Sequence, residues 1–184
     1  MRTTVAEPRQ SDEQLAREAA REGSDGLAFT ELVERLRDRV WRVCFRIMGN
    51  AEDAADATQD VLVRMFTHRQ KYGGKSKYST WVHGIAVHTC LARRRRRGRR
   101  QRRVSLAPDL DLENTASQPT ESEPVSDLDT ILSTLTEEDR ALVVMKYSEE
   151  HSYQELSEIF NLSVSACKMR ISRAVARLRE TYDR

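Results

Sequence analysis

Four groups of side chains in this sequence have chemistry to offer, and all four point to binding rather than bond-making. From Arg93 to Arg103 the chain reads RRRRRGRRQRR, nine arginines with no acid among them. Guanidinium groups at that density seek polyphosphate, because each phosphate they neutralise releases counterions and adds salt-dependent affinity without reading sequence. Similar runs serve as membrane-surface or localisation tracts; nucleic acid is the favoured partner for Arg93, Arg94, Arg95, Arg96 and Arg97. Just upstream, Tyr72, Tyr78 and Trp81 stand among Lys71, Lys75 and Lys77, with Ser76 between them. Aromatic faces stack on unpaired bases while cations hold the backbone, a combination suited to single-stranded nucleic acid. The plainer alternative puts Trp81 in the core beside a solvated loop.

The third group is acidic. Asp53, Asp56 and Asp60 recur at spacings of three and four, so on a helix they share one stripe near its positive end. Such a stripe either docks a basic protein surface or is a solvated face that benefits from the helix dipole. The fourth group lies in Ser152 to Arg179, SYQELSEIFNLSVSACKMRISRAVARLR. Ser152 and Glu155 have capping-box spacing, Asn161-Leu162-Ser163 supplies a break, and Ser163 caps a second helix. At about 100° per residue, Cys167, Ile171, Ala174 and Leu178 share the packing face of that second helix, while Ser165, Met169 and Ser172 point away. Lys168, Arg170 and Arg173 flank it, and no acid falls between Val164 and Arg179. This is a helix-turn-helix pattern whose free face suits a groove walled by phosphates; the alternative is a helical pair with a merely solvated basic face.

Helices must position all four groups. Ser11 to Glu22 predicts a short capped helix, and the apolar positions from Phe29 to Ile47 step by three and four through a long amphipathic one. Gly49 ends that helix and Asn50 caps the next, over 51–69, with Ala55, Thr58, Leu62, Met65 and Phe66 as its buried side. Another helix runs from the aromatic loop through Cys90. Ser126 and Asp129 suggest a cap before Leu128, Ile131, Leu132 and Leu135, and Thr136 with Asp139 starts a further helix with Leu142 and Met145 inward.

The fold class is therefore all-α: two small helical domains joined by a flexible acidic linker, the second carrying the helix-turn-helix. Charge divides along the same lines. Residues 1–103 carry 23 basic and 13 acidic side chains, whereas 104–127 carry six acids and no base. The predicted organisation is a disordered N-terminus over 1–10, a helical domain over 11–103, a linker over 104–125 and a four-helix domain over 126–184.

Catalytic chemistry has no local signature. There is no P-loop, no Gly-rich dinucleotide fingerprint and no nucleophile motif. His83, His88 and Cys90 lack the spacing of a closed zinc site, and Cys44, Cys90 and Cys167 are an odd, scattered set. The expectations are no enzyme activity, no metal and no cofactor. The scattered cysteines fit a reducing cytoplasm, and with nowhere eighteen apolar residues in a row the expectation is no membrane insertion.

Taken in order, these motifs resemble those of the extracytoplasmic-function sigma factors of bacterial RNA polymerase, over about Asp12 to Arg179. DAADATQDVL, Asp53 to Leu62, resembles the family's polymerase-binding helix. The resemblance implies that Asp53, Asp56, Gln59 and Asp60 dock on coiled-coil helices of the largest subunit. GGKSKYSTWVHGIAVHT, Gly73 to Thr89, resembles the loop and helix that melt the minus-ten element. It implies that Tyr72, Lys75, Ser76, Lys77, Tyr78, Trp81 and His88 meet the melted non-template strand, with the arginine run on the backbone.

Leu135 to Ala174 resembles the domain whose last helix reads the minus-thirty-five element, implying DNA contacts from Ser165, Lys168, Met169, Arg170, Ser172 and Arg173. His88 stands where many members have Asn, Gly84 where arginine is common, and Ser165-Ala166 replace a frequent Gly-Thr pair. The implied partners are core RNA polymerase, promoter DNA both double-stranded and melted, and an anti-sigma protein. The rival readings are a stand-alone helix-turn-helix regulator and, further off, a DNA-processing enzyme such as a recombinase.

Overall fold

Each helix begins and ends on a local device that the sequence carries. In the computed structural model, which describes residues 10–23, 26–105 and 131–182 (side chains of 100–105 excepted), Ser11 and Gln14 close a reciprocal capping box ahead of α1, Asp12–Ala19. Helix α2, Leu27–Met48, ends at Gly49, whose φ of 82° is left-handed and whose N–H donates to the Phe45 carbonyl at 2.8 Å. Asn50 then accepts from the Asp53 N–H at 2.8 Å and opens α3, Ala51–Thr67. A 3-10 turn over Arg69–Lys71 leads to α4, Tyr78–Ser105.

In the second domain Thr136 caps α5, Glu137–Tyr147. Ser152 and Glu155 form the expected capping box of α6, Tyr153–Phe160, and Asn161 in the left-handed region turns the chain into α7, Val164–Tyr182. No strand occurs among the described residues. The all-α, two-domain reading holds. The predicted cap at Ser126 and Asp129, Leu128, residues 1–9 and the linker from 106 onward lie outside the described residues.

Three expectations change. Helix α4 does not stop near Cys90 but continues through the arginine run to Ser105. Arginine is among the better helix formers, and one glycine, Gly98, costs only about 1 kcal/mol, so nothing after Cys90 ends the helix. The buried side of α3 is Ala54, Ala57, Thr58, Val61 and Met65, while Ala55 is exposed. Alanine is apolar enough to face α2, yet a pattern weighted toward Leu and Phe passes over it.

The third change is in α5, where Arg140 and the whole run Ala141 to Met145 are buried rather than Leu142 and Met145 alone. A helix that is apolar on all sides must be covered on all sides. α5 packs on α6 and α7 of its own domain and, on the other side, on α2 and α4 of the first domain. One buried apolar cluster therefore runs through both domains, from Leu15 to Ala174.

Candidate nucleic-acid interface

The arginine run and the acidic stripe, read separately in the sequence, meet. As α4 extends past Cys90 it passes alongside α3, and Arg93 places Nε 2.8 Å from Asp60 and Nη1 3.3 Å from Asp56. Arg97 reaches Asp53 at 2.5 Å. Arg94 donates to the carbonyls of Ile47 and Met48 at 2.9 and 3.3 Å, closing the end of α2, and pairs with Glu137 at 2.8 Å. Arg95 lies 3.5 Å from Glu138, and Arg96 is exposed.

Most of these pairs are open to solvent, where an ion pair contributes about 0–1 kcal/mol. The arginines are thus held only loosely by their internal carboxylates. Gln59 and Asp56 remain exposed on the stripe. Replacing Arg95, Arg96 and Arg97 by alanine is expected to flatten the dependence of duplex affinity on salt. If each arginine neutralises one phosphate at a slope of about 0.9, the plot of log K against log salt should shallow by about 2.7. A titration between low and moderate salt measures it, and an unchanged slope removes these residues from the interface.

The aromatic group is a stacked cluster. Tyr78 and Trp81 lie 5.4 Å apart at 29°, and Tyr72 meets both edge-on or tilted, at 5.0 and 5.8 Å. Tyr72 donates its hydroxyl to the Ser76 carbonyl at 2.7 Å, which folds the glycine loop back on the ring. Tyr78 is 1% exposed, so it does not present a face to a base; it backs Trp81, which is half-buried. Burial pushes the Tyr78 phenol well above its ordinary range. Lys71, Lys75, Lys77 and His88 are exposed around the cluster.

Two residues of α1 and the 3-10 turn hold this arrangement, and the sequence reading missed both. Glu13 accepts the otherwise orphaned N–H of Tyr78 at 3.1 Å, and that bond above all lowers the Glu13 pKa. Arg69 donates to the Ala19 carbonyl at 3.1 Å and to that of Phe66 at 2.8 Å, with its guanidinium 4.2 Å over the Phe66 ring. Cys44 on α2 and Cys90 on α4, 46 residues apart in sequence, are both buried, and the neighbouring Cys44 together with burial pushes the Cys90 thiol well above its ordinary range.

On α7, Cys167, Ile171 and Ala174 are buried, and Leu178 is half-buried. Ser165, Lys168, Met169, Ser172 and Arg173 are exposed on the opposite side of its first half. Arg173 lies 3.2 Å from the Met169 sulfur, and Lys168 sits 5.5 Å over the Tyr153 ring. Arg170 differs. It is half-buried, with Nε donating to Asp139 at 2.8 Å and both terminal nitrogens to Glu138 at 3.2 Å. Its guanidinium orients α7 on the acidic start of α5 rather than standing ready for a base.

Comparison with known proteins matches this geometry to a described architecture. Residues 32–100 match sigma-70 region 2, and residues 126–178 match sigma-70 region 4. A region 2 followed by a region 4 defines a sigma-70-type transcription initiation factor. Among curated proteins, the ECF RNA polymerase sigma factor SigW of Bacillus subtilis is 27% identical over 169 residues, covering 83% of this chain and 88% of SigW. SigE of Mycolicibacterium smegmatis is 31% identical over 160 residues, covering 83% of this chain and 61% of SigE. The fold is also that of the sigma factor RpoE solved with the anti-sigma factor NepR from Bartonella quintana, with a TM-score of 0.67 at 21% identity, covering 84% of this chain and 96% of that one. The chain belongs to the extracytoplasmic-function sigma factors of RNA polymerase.

Among the described residues, no helix is long and apolar enough to cross a membrane, and no group of His, Cys, Asp and Glu is arranged to hold a metal ion.

Proposed function

We propose that this sigma factor divides promoter recognition between its two domains as follows. The stripe Asp53, Asp56, Gln59 and Asp60 on α3 binds core RNA polymerase. Trp81, backed by Tyr78 and flanked by Tyr72, Lys75, Ser76, Lys77 and His88, holds the melted non-template strand at the minus-ten element. Arg93 to Arg97 secure the backbone beside it. Ser165, Lys168, Met169, Ser172 and Arg173 enter the major groove at the minus-thirty-five element, with Arg170 positioning the helix that carries them. The segment after Ser105 joins the two domains, and the factor makes and breaks no covalent bond.

The observation that carries this reading is the exposed row from Ser165 to Arg173 on a helix anchored by Cys167, Ile171 and Ala174, in one chain with a half-buried tryptophan that follows a loop bearing three exposed lysines. Footprinting tests it. With core polymerase, the chain should protect two separated elements of one promoter; protection of a single element without polymerase would return the reading to a stand-alone regulator. An anti-sigma protein as a further partner is supported by the fold shared with a factor solved in such a complex.

Trp81 gives a sharper local test. Stacking of a base on an aromatic side chain contributes about 1–3 kcal/mol. Trp81→Ala is therefore expected to weaken binding of the holoenzyme to a single-stranded minus-ten oligonucleotide by about 5- to 150-fold while leaving duplex affinity at moderate salt unchanged. Equal affinities for the single strand would show that no base rests on this ring.

A further inference from the structure

The helix that carries Trp81 begins without a cap of its own. Lys77, whose carbonyl accepts the Trp81 N–H at 3.2 Å, holds the cap position of α4. Its side chain has no acceptor for the unpaired N–H groups of the first turn, and it puts a cation at the positive end of a 28-residue helix. The acceptor comes from 65 residues upstream, where Glu13 Oε1 takes the Tyr78 N–H at 3.1 Å. A carboxylate also suits the positive end that a lysine does not.

Glu13 is itself held in place, because α1 is fastened at both ends. At its start Arg35 of α2 donates to the Gln10 carbonyl at 2.7 Å and to Asp12 at 3.0 Å. At its end Arg69 donates to the Ala19 and Glu22 carbonyls at 3.1 and 3.4 Å. Between these ties Leu15, Ala16 and Ala19 are buried. The carboxylate bears on a second tyrosine as well: burial first, and then the charge of Glu13, push the Tyr72 phenol up. One side chain of α1 thus stands beside both tyrosines that pack on Trp81. The match to region 2 begins at residue 32, so this side chain comes from outside the stretch that the match covers.

We propose that Glu13 is a positioning residue for single-strand capture: by starting α4 at Tyr78 it fixes the ring face that Trp81 offers to an unpaired base. The proposal rests on the minus-ten reading above. Tyr78 and Trp81 are the first and fourth residues of α4, one turn apart, and their stack exists only while that turn is wound. Removing a hydrogen bond to a charged group moves such an equilibrium toward the frayed state by about tenfold or more. A base that needs the ordered ring binds in proportion to the fraction of chains that present it. Polymerase docking on α3 and duplex contacts from Arg93 to Arg97 and from α7 do not pass through the first turn of α4. The loss should therefore fall on the single strand alone.

Two readouts test it. Trp41 and Trp81 are the only tryptophans in the sequence, so Trp41→Phe leaves Trp81 as the sole emitter. In that background Glu13→Ala should red-shift the emission of the full chain and raise its quenching by acrylamide. Glu13→Gln keeps an amide oxygen that accepts the Tyr78 N–H and should leave both unchanged. The second readout is binding by the holoenzyme to single-stranded DNA carrying the non-template minus-ten sequence of a promoter it transcribes. Glu13→Ala should bind it about five- to tenfold more weakly and Glu13→Gln within about twofold of wild type, with polymerase and random-sequence duplex affinities unchanged in both. Single-strand affinity retained in Glu13→Ala but lost in Trp81→Ala would overturn the proposal and leave the minus-ten reading standing. A glutamine no better than alanine, or an alanine variant that loses duplex and polymerase binding to the same extent, would overturn it too. If Trp81→Ala also holds the single strand as tightly as wild type, the minus-ten reading falls and the proposal falls with it.

Discussion

Replacing Asp56 and Asp60 by arginine in the intact chain is expected to lower its affinity for core RNA polymerase on the order of a hundredfold, about 2.8 kcal/mol. Both side chains stand about half exposed on α3, and their internal partner is Arg93. Removing that pairing costs the fold about 0–1 kcal/mol, so the loss should appear in binding and not in stability. Asp53 is left in place because it receives a hydrogen bond from the Asn50 side chain at 2.8 Å and sits in the first turn of α3. Reversing it would disturb the helix start and the interface together. A fluorescence titration with labelled core polymerase reads the effect, and an affinity within about twofold of wild type would show that polymerase docks elsewhere.

Ile171→Ala is expected to act in the opposite way, on stability first. Ile171 is 2% exposed and lies between Cys167 and Ala174 on the face that seats α7 against α5 and α6. Truncating a buried isoleucine costs about 2–5 kcal/mol, a large part of the roughly 5–15 kcal/mol that holds a domain together. Chemical unfolding should show a lowered midpoint, and minus-thirty-five binding should be lost with it, while polymerase affinity through α3 is retained. Ser172, exposed one residue on, gives the control: Ser172→Ala should change stability by no more than about 0.5 kcal/mol. Equal midpoints for the two variants would contradict the packing described for α7.

What was legible in the sequence was what local rules decide. The capping boxes at Ser11 and Ser152, the glycine end of α2, the turn at Asn161 and the split between Cys167, Ile171, Ala174 and Ser165, Met169, Ser172 all follow from neighbours within four residues. Contacts across the chain were not. Nothing near His83 announces His151, 68 residues away, and Glu149 reads as one more surface acid until α5 is seen wedged between domains. The run ALVVM in α5 did carry a signal, since a helix apolar on every side has to be covered twice.

The stripe and the arginine run are each recognisable by composition. Their pairing is hidden because the apolar pattern of α4 fades after Cys90, and only the helix's continuation brings Arg93 and Arg97 beside α3. Tyr78 shows the same limit on the candidate site: its type suits base stacking, but its position at the start of α4 puts it under Trp81. Arg170 likewise has the charge for DNA and the geometry of an internal brace.

The most direct test of the central claim is transcription in a purified system. Core RNA polymerase, the full chain and a library of promoters randomised around two separated elements are combined, and the 5′ ends of the transcripts are sequenced. The account predicts start-specific transcripts only when the chain is present, from templates sharing two conserved elements, and their loss with Asp56→Arg/Asp60→Arg. Transcripts unaffected by the chain, together with tight duplex binding in the absence of polymerase, would contradict it.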